Sequence, residues 1–224
     1  MAATQSLLAY LETEAPQRLP TQNTAPGPNT TNINYNYRDI KQISAWPEFS
    51  YNVILQQYGP ELNTRQVVPD PMPTSPPRAI RDESLALRET FDQLSPQLLA
   101  RQLTSIAFDG GTAANLVLNY KPDMAFVDII SDVGEGKNRC PGDLKAKEYR
   151  QVLAQVNFYM KQNGARYGFI ITDTELVPVK RVSEDGHVAV ATAIPWTQHG
   201  PGQLTILLGL WYLGMLAASN SWGL

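Results

Sequence analysis

The sequence predicts an α/β domain over residues 80–224, on three observations. From Lys147 to Gln162, Tyr149, Val152, Leu153, Val156 and Met160 recur at i, i+3, i+4, i+7 and i+11, the stripe of an amphipathic helix, and Asn163-Gly164 ends it. Apolar runs of strand length lie on either side, Met124–Ile130 before the helix and Tyr167–Thr172 after it. Two alternating segments, Glu175–Val182 and His187–Ala193, are joined by the turn Ser183-Glu184-Asp185-Gly186 and form a hairpin.

The remaining elements follow in chain order. Arg81–Leu94 places Leu85, Leu87, Phe91 and Leu94 at mostly helical spacing, and Ser95-Pro96 opens another helical turn with proline at its first position. Thr104–Phe108 and Ala114–Tyr120 are short strands around Asp109-Gly110-Gly111. Met124–Ile130 is a mostly buried strand despite Asp128, Ser131–Arg139 is a polar loop, and Cys140–Ala146 is expected to be another short strand. The order is helix, three strands, helix, strand, then further strands and a closing apolar helix at Leu204–Ala218. That last stretch falls short of the roughly 20 residues needed to cross a bilayer and reads as a helix buried in the core.

Residues 1–79 differ in character. Leu7, Leu8 and Leu11 give Gln5–Glu14 an amphipathic face, Ala15–Asn36 is rich in Pro, Thr and Asn, and Val68–Pro77 holds five prolines. Trp46–Tyr58 carries enough aromatic and aliphatic residues to pack on something. An irregular N-terminal arm, partly ordered and wrapped on the domain, is expected here, with the boundary at residues 79 and 80. The arm and the apolar C-terminal helix together suggest a self-association surface and a homodimer.

Global composition excludes several classes. A net charge of −3 gives no general attraction to polyanions, so any nucleic-acid role must rest on a local patch. A single cysteine, Cys140, permits neither an intrachain disulfide nor a Cys-rich zinc site. The start of the chain lacks the basic and apolar regions of a secretory signal, which points to an intracellular protein of the cytoplasm or nucleus. His187 and His199 lie too far from any carboxylate pair to make a zinc motif, and Trp196, Trp211 and Tyr212 read as core.

The chemistry concentrates in two short motifs. Pro122-Asp123 precedes an apolar strand, and Gly142-Asp143-Leu144-Lys145 comes twenty residues later, just before the amphipathic helix. If Asp143 and Lys145 end a strand, period two places them on one face, and a neighbouring Asp123 strand would bring two carboxylates and an ammonium together. Two carboxylates suit Mg²⁺ or Mn²⁺, which can lower the pKa of a bound water and neutralise an in-line phosphoryl transition state. Lys147, Gln151 and Gln155 then share a helix face at i, i+4 and i+8 and could contact a phosphate backbone. Between Lys137 and Arg166, basic residues 137, 139, 145, 147, 150, 161 and 166 face only Asp143 and Glu148, a local patch consistent with phosphate binding.

These motifs in this element order resemble the PD-(D/E)XK (restriction-endonuclease-like) nuclease superfamily. The stretch from Gly142 through KEYRQVLAQVNFYMKQNGARYGFIITDTELV to the C-terminal LLGLWYLGMLA is also similar to a group of uncharacterised fungal proteins with a nuclease-like domain. The resemblance covers residues 80 to 219 and implies a mixed sheet flanked by helices. It implies Asp123 and Asp143 as metal ligands for Mg or Mn, Lys145 as the catalytic lysine, and Gln151 or Gln155 as the polar helix position beside the site. The family often adds a Glu from its first helix; Glu83 and Glu89 both stand there, and the sequence does not choose between them. The implied activity is metal-dependent phosphodiester hydrolysis on DNA or RNA. The alternatives are a catalytically silent binding or assembly module on the same fold, or the fold recruited to small-molecule chemistry.

Overall fold

The computed structural model describes residues 4–13, 33–68, 143–172 and 174–219, with the side chains of 143–148 left aside. Its architecture is mixed α/β, a mixed sheet flanked by helices. In chain order the elements are β1 (Gln5–Ser6), α1 (Leu7–Leu11), a 3-10 turn (Tyr37–Asp39), β2 (Gln42–Ala45), α2 (Tyr51–Thr64) and β3 (Gln66–Val67). Then come α3 (Asp143–Gln162), β4 (Tyr167–Ile171), β5 (Glu175–Arg181), β6 (His187–Val190), β7 (Ile194–Pro195) and α4 (Ile206–Ala218).

The sheet runs β2-β6-β5-β4, with β7 also pairing β5. The β4, β6 and β7 strands lie antiparallel to β5, whereas β2 lies parallel to β6 with Gln42 opposite His187 and Ala45 opposite Val190. Both faces are covered, so β5 holds four successive buried residues, Leu176 to Val179, and does not alternate between core and solvent. Alternate residues serve two cores. Ile171, Leu176, Ala189 and Ile194 join α1, α2 and α4 on one face, while Ile170, Val177, Val179 and Val188 join α3, Tyr35 and Ile40 on the other.

The hairpin, the β4 strand and the apolar C-terminal helix stand where the sequence placed them. Ile206 to Leu213 of α4 are all buried, and each large apolar side chain so enclosed contributes roughly 1.5–3 kcal/mol. Gly209 lets this helix approach the sheet, since a Cβ there would lie 2.8 Å from Ile194 Cδ1. Thr205 caps α4, its hydroxyl accepting from Leu208 N and donating to Leu11 O.

One expectation is corrected. Residues 143–146, expected in a strand, form the first turn of α3. Nothing in Asp-Leu-Lys-Ala resists a helix, and an acidic residue at a helix start is favoured by the dipole. The N-terminal segment, expected as a partly ordered arm that wraps the domain, supplies the strand β2 and much of one core, including Leu7, Leu11, Trp46, Ile54 and Leu62. The expected boundary at residues 79 and 80 lies outside the described residues, but the segments flanking it share one sheet and one hydrophobic core.

Glu12 fastens the first helix. It is 8% exposed, accepts from Tyr51 Oη at 2.6 Å and Gly202 N at 2.9 Å, and its own carbonyl accepts from Gly200 N. Burial, then the hydrogen bond to Glu12 and its charge, push the Tyr51 phenol up to about 12.

Candidate functional site

The α3 helix carries most of the residues in question. Its apolar stripe, with Val152, Leu153 and Met160 buried, packs on the sheet. A second side meets the N-terminal segment, where Tyr35 lies 5.6 Å from Phe158 and 6.5 Å from Tyr159 between ring centroids. Asn36 caps the 3-10 turn by a reciprocal box, accepting from Arg38 N while Asp39 accepts from Asn36 N. This fixes the Tyr37 amide against the helix.

Asp123, Glu83, Glu89 and Cys140 lie outside the described residues. Asp143, Lys145 and Lys147 fall in the first turns of α3. Helical positions two apart are about 200° apart around the axis, so the shared face expected of Asp143 and Lys145 in a strand does not carry over to α3. Gln151 accepts from Tyr37 N through Oε1 at 2.8 Å. Gln155 is buried, with Nε2 3.4 Å from Tyr159 Oη. Both glutamines therefore meet groups of this chain.

Of the basic residues around α3, Arg150 is exposed and Lys161 donates to the Glu184 carbonyl at 2.6 Å. His187 is half-buried, its Nε2 2.9 Å from Ser44 Oγ across the β2–β6 pair, and His199 is exposed in the loop before α4. Trp196, Trp211 and Tyr212 are buried, as the sequence suggested. Among the described residues, no three His, Cys, Asp or Glu groups are placed to hold a metal ion, and no helix is long and apolar enough to cross a membrane.

A cleft of about 580 Å³ opens between the N-terminal segment, α3 and the β5–β6 turn. Ala154, Asn157 and Phe158 of α3 line it, with Tyr35, Asp39, Lys41, Lys161, Glu184 and Asp185 around it. Asn157 is 2% exposed and its Oδ1 has no hydrogen-bond partner. Periodicity could not find this residue, because the stripe on α3 is defined by its apolar members. The Asn36–Asp39 box, by contrast, is legible as an Asn-x-x-Asp start signal.

With the fold and site in view, the chain matches no protein-family model, no curated protein and no solved structure. The class is that of a mixed α/β sheet with helices on both faces.

Proposed function

We propose that this chain is a binding or assembly module on a nuclease-like scaffold, in which α3 ties the fold together and does not present a working face to nucleic acid. The observation that carries this reading is the Gln151–Tyr37 hydrogen bond. The helix position expected to meet a phosphate backbone accepts instead from the protein's own main chain, and Gln155 is buried four residues on. Asp143 and Lys145 both stand in the first turn of α3, which further separates them from the strand-end geometry of a metal-dependent nuclease.

A second reading keeps the hydrolase: Asp123 and Asp143 holding Mg²⁺ or Mn²⁺, Lys145 positioning water, and Lys147 contacting DNA or RNA. Its support is the motif spacing and the helix-then-strand order in which α3, opening on Asp143-Leu144-Lys145, is followed by β4. The reading of small-molecule chemistry draws on the cleft, which is more polar than the apolar, aromatic pocket that would favour it most. A homodimer also stays a proposal, and Ile206–Leu213 are already buried within their own chain.

Calorimetric titration of Mg²⁺ and Mn²⁺ into wild type and Asp143→Ala, with plasmid and single-strand cleavage alongside, separates the two readings. The binding-module reading expects no metal heat and no cutting from either protein. Metal binding and cleavage that both vanish in the variant would establish the hydrolase.

A further inference from the structure

The α3 helix ends on an Asn-Gly pair that is chemically reactive as well as structural. Of the asparagines in the chain, Asn163 alone is followed by glycine. The helix closes as a Schellman motif, in which Ala165 N donates to Met160 O at 2.8 Å and Gly164 N to Lys161 O at 3.2 Å. Gly164 holds φ +62°, the left-handed value that such a motif uses and that a side chain would strain. The fold therefore keeps glycine here, and with it a backbone nitrogen that no Cβ shields.

Two observations make the pair available to chemistry. Asn163 and Gly164 are both exposed, and nothing lies within 4 Å of where a Cβ on Gly164 would stand. Water reaches the Asn163 amide and the Gly164 nitrogen together. The pair also follows the last turn of α3, the part of a helix that frays most readily. Two bonds hold it in place, Gly164 N to Lys161 O and Asn163 Nδ2 to Tyr159 O at 2.9 Å. Each is an ordinary hydrogen bond at an exposed position, and the need to open both slows a reaction here by about ten- to hundredfold relative to a free peptide.

We propose that Asn163 is a modification site at which the side-chain amide is lost spontaneously. The Gly164 nitrogen attacks Asn163 Cγ. A C–N bond forms to close a cyclic imide, the Cγ–Nδ2 bond breaks, and the Gly164 proton leaves with Nδ2 as ammonia. Water then opens the imide at either carbonyl. The product is aspartate or, where the main chain comes to run through Cγ, isoaspartate.

Either product loosens the junction that follows. A carboxylate at residue 163 faces the negative end of the α3 dipole and has no N–H to give the Tyr159 carbonyl. Isoaspartate adds a methylene to the main chain between α3 and β4, so Ala165 N no longer lines up with Met160 O. Lys161, bonded to the Glu184 carbonyl, and Arg166, whose carbonyl accepts from Arg181 N at 2.7 Å, stand on either side. The change thus falls where α3, β4 and the β5–β6 turn are tied together, whichever functional reading holds.

Incubation of the full wild-type chain in warm, mildly alkaline buffer tests the proposal, read by peptide mapping with mass spectrometry and by ammonia release. Conversion at Asn163 is expected to outpace that at the exposed Asn52, which valine follows. It is expected to trail a free peptide of residues 159–168 by about ten- to hundredfold. Asn163→Gln, whose longer side chain closes the ring poorly, is expected to release less ammonia. In Asn163→Asp, hydrogen exchange at the Ala165 amide is expected to quicken severalfold. Conversion at Asn163 no faster than at Asn52, a rate more than about a thousandfold below that of the peptide, or ammonia release unchanged in Asn163→Gln would each overturn the proposal. Unchanged exchange at Ala165 in Asn163→Asp would overturn the loosening of the junction.

Discussion

Substituting Gly186 by alanine isolates the contact that seats the N-terminal segment on the β5–β6 turn. Gly186 has φ +86°, and a Cβ there would fall 1.8 Å from the Asp39 carbonyl oxygen and 3.0 Å from its carbon. An L-residue in this conformation costs about 1–2 kcal/mol before any contact is counted. The clash is backbone against Cβ, so the two strands of chain must part by roughly 1.6 Å to reach ordinary contact. Parting breaks Lys41 N to Gly186 O at 2.9 Å and the longer bond from Gln42 N at 3.4 Å, each worth about 1 kcal/mol net. The expected loss is about 3–4 kcal/mol, a large share of an ordinary domain's stability. Gly202 is the matched control: its φ is +80° but nothing lies within 4 Å of its Cβ position, and alanine keeps the N–H that Glu12 accepts. Gly202→Ala should therefore lose only about 1–2 kcal/mol. Urea denaturation of both variants, at unchanged slope, measures the difference. Equal losses within about 0.5 kcal/mol would refute the claim that this approach is a tight structural contact.

Other consequences can be measured on the same protein. In Glu12→Gln the Tyr51 phenol should titrate below about 12 yet stay above 10, since burial persists, and stability should drop by about 1–2 kcal/mol; an unchanged phenolate absorbance titration would contradict the contact. In wild type, the unfolded Tyr51 at 10 ionises before the folded one, so the unfolded state binds fewer protons over that range. Its contribution is therefore intact below pH 10 and lost as pH rises toward 12, which urea midpoints across that window should show. Thr205→Val removes the cap on α4 and orphans the Leu11 carbonyl, a loss of about 2–3 kcal/mol by thermal or urea unfolding. Gln151→Ala should cost about 1 kcal/mol and speed hydrogen exchange at the Tyr37 amide, whereas unchanged exchange would show that the bond does not hold that segment.

Where structure is local, the sequence shows it. The β5–β6 hairpin is legible because alternating residues flank Ser183-Glu184-Asp185-Gly186, and Gly186 supplies a positive φ that the turn uses. The body of α3 is legible from its apolar stripe, but its start is not, because Asp143-Leu144-Lys145-Ala146 satisfies strand alternation and helix formation equally well. Once the stretch is helical, the geometry inferred for Asp143 and Lys145 changes with it. The β2 strand escaped notice for a different reason. Gln42-Ile43-Ser44-Ala45 is short, with no strongly apolar face, and becomes a strand through pairing with residues far away in the chain. Asn157 was hidden because nothing local distinguishes a buried polar position on a helix from an exposed one.

The parallel pairing of β2 with β6 also bears on how the chain acquires its shape. Ser44 and His187 are 143 residues apart, so the pairing of β2 with β6 cannot form until the chain has been made past His187. Until then the groups of Gln42–Ala45 that bond to β6 lack those partners, and Leu7 and Leu11 wait for the α4 helix that packs against α1. Contacts so distant are costly to close and slow to form. The N-terminal segment should thus be among the last parts to dock, and a folding intermediate would present the open edge of β6 to any other strand able to pair with it.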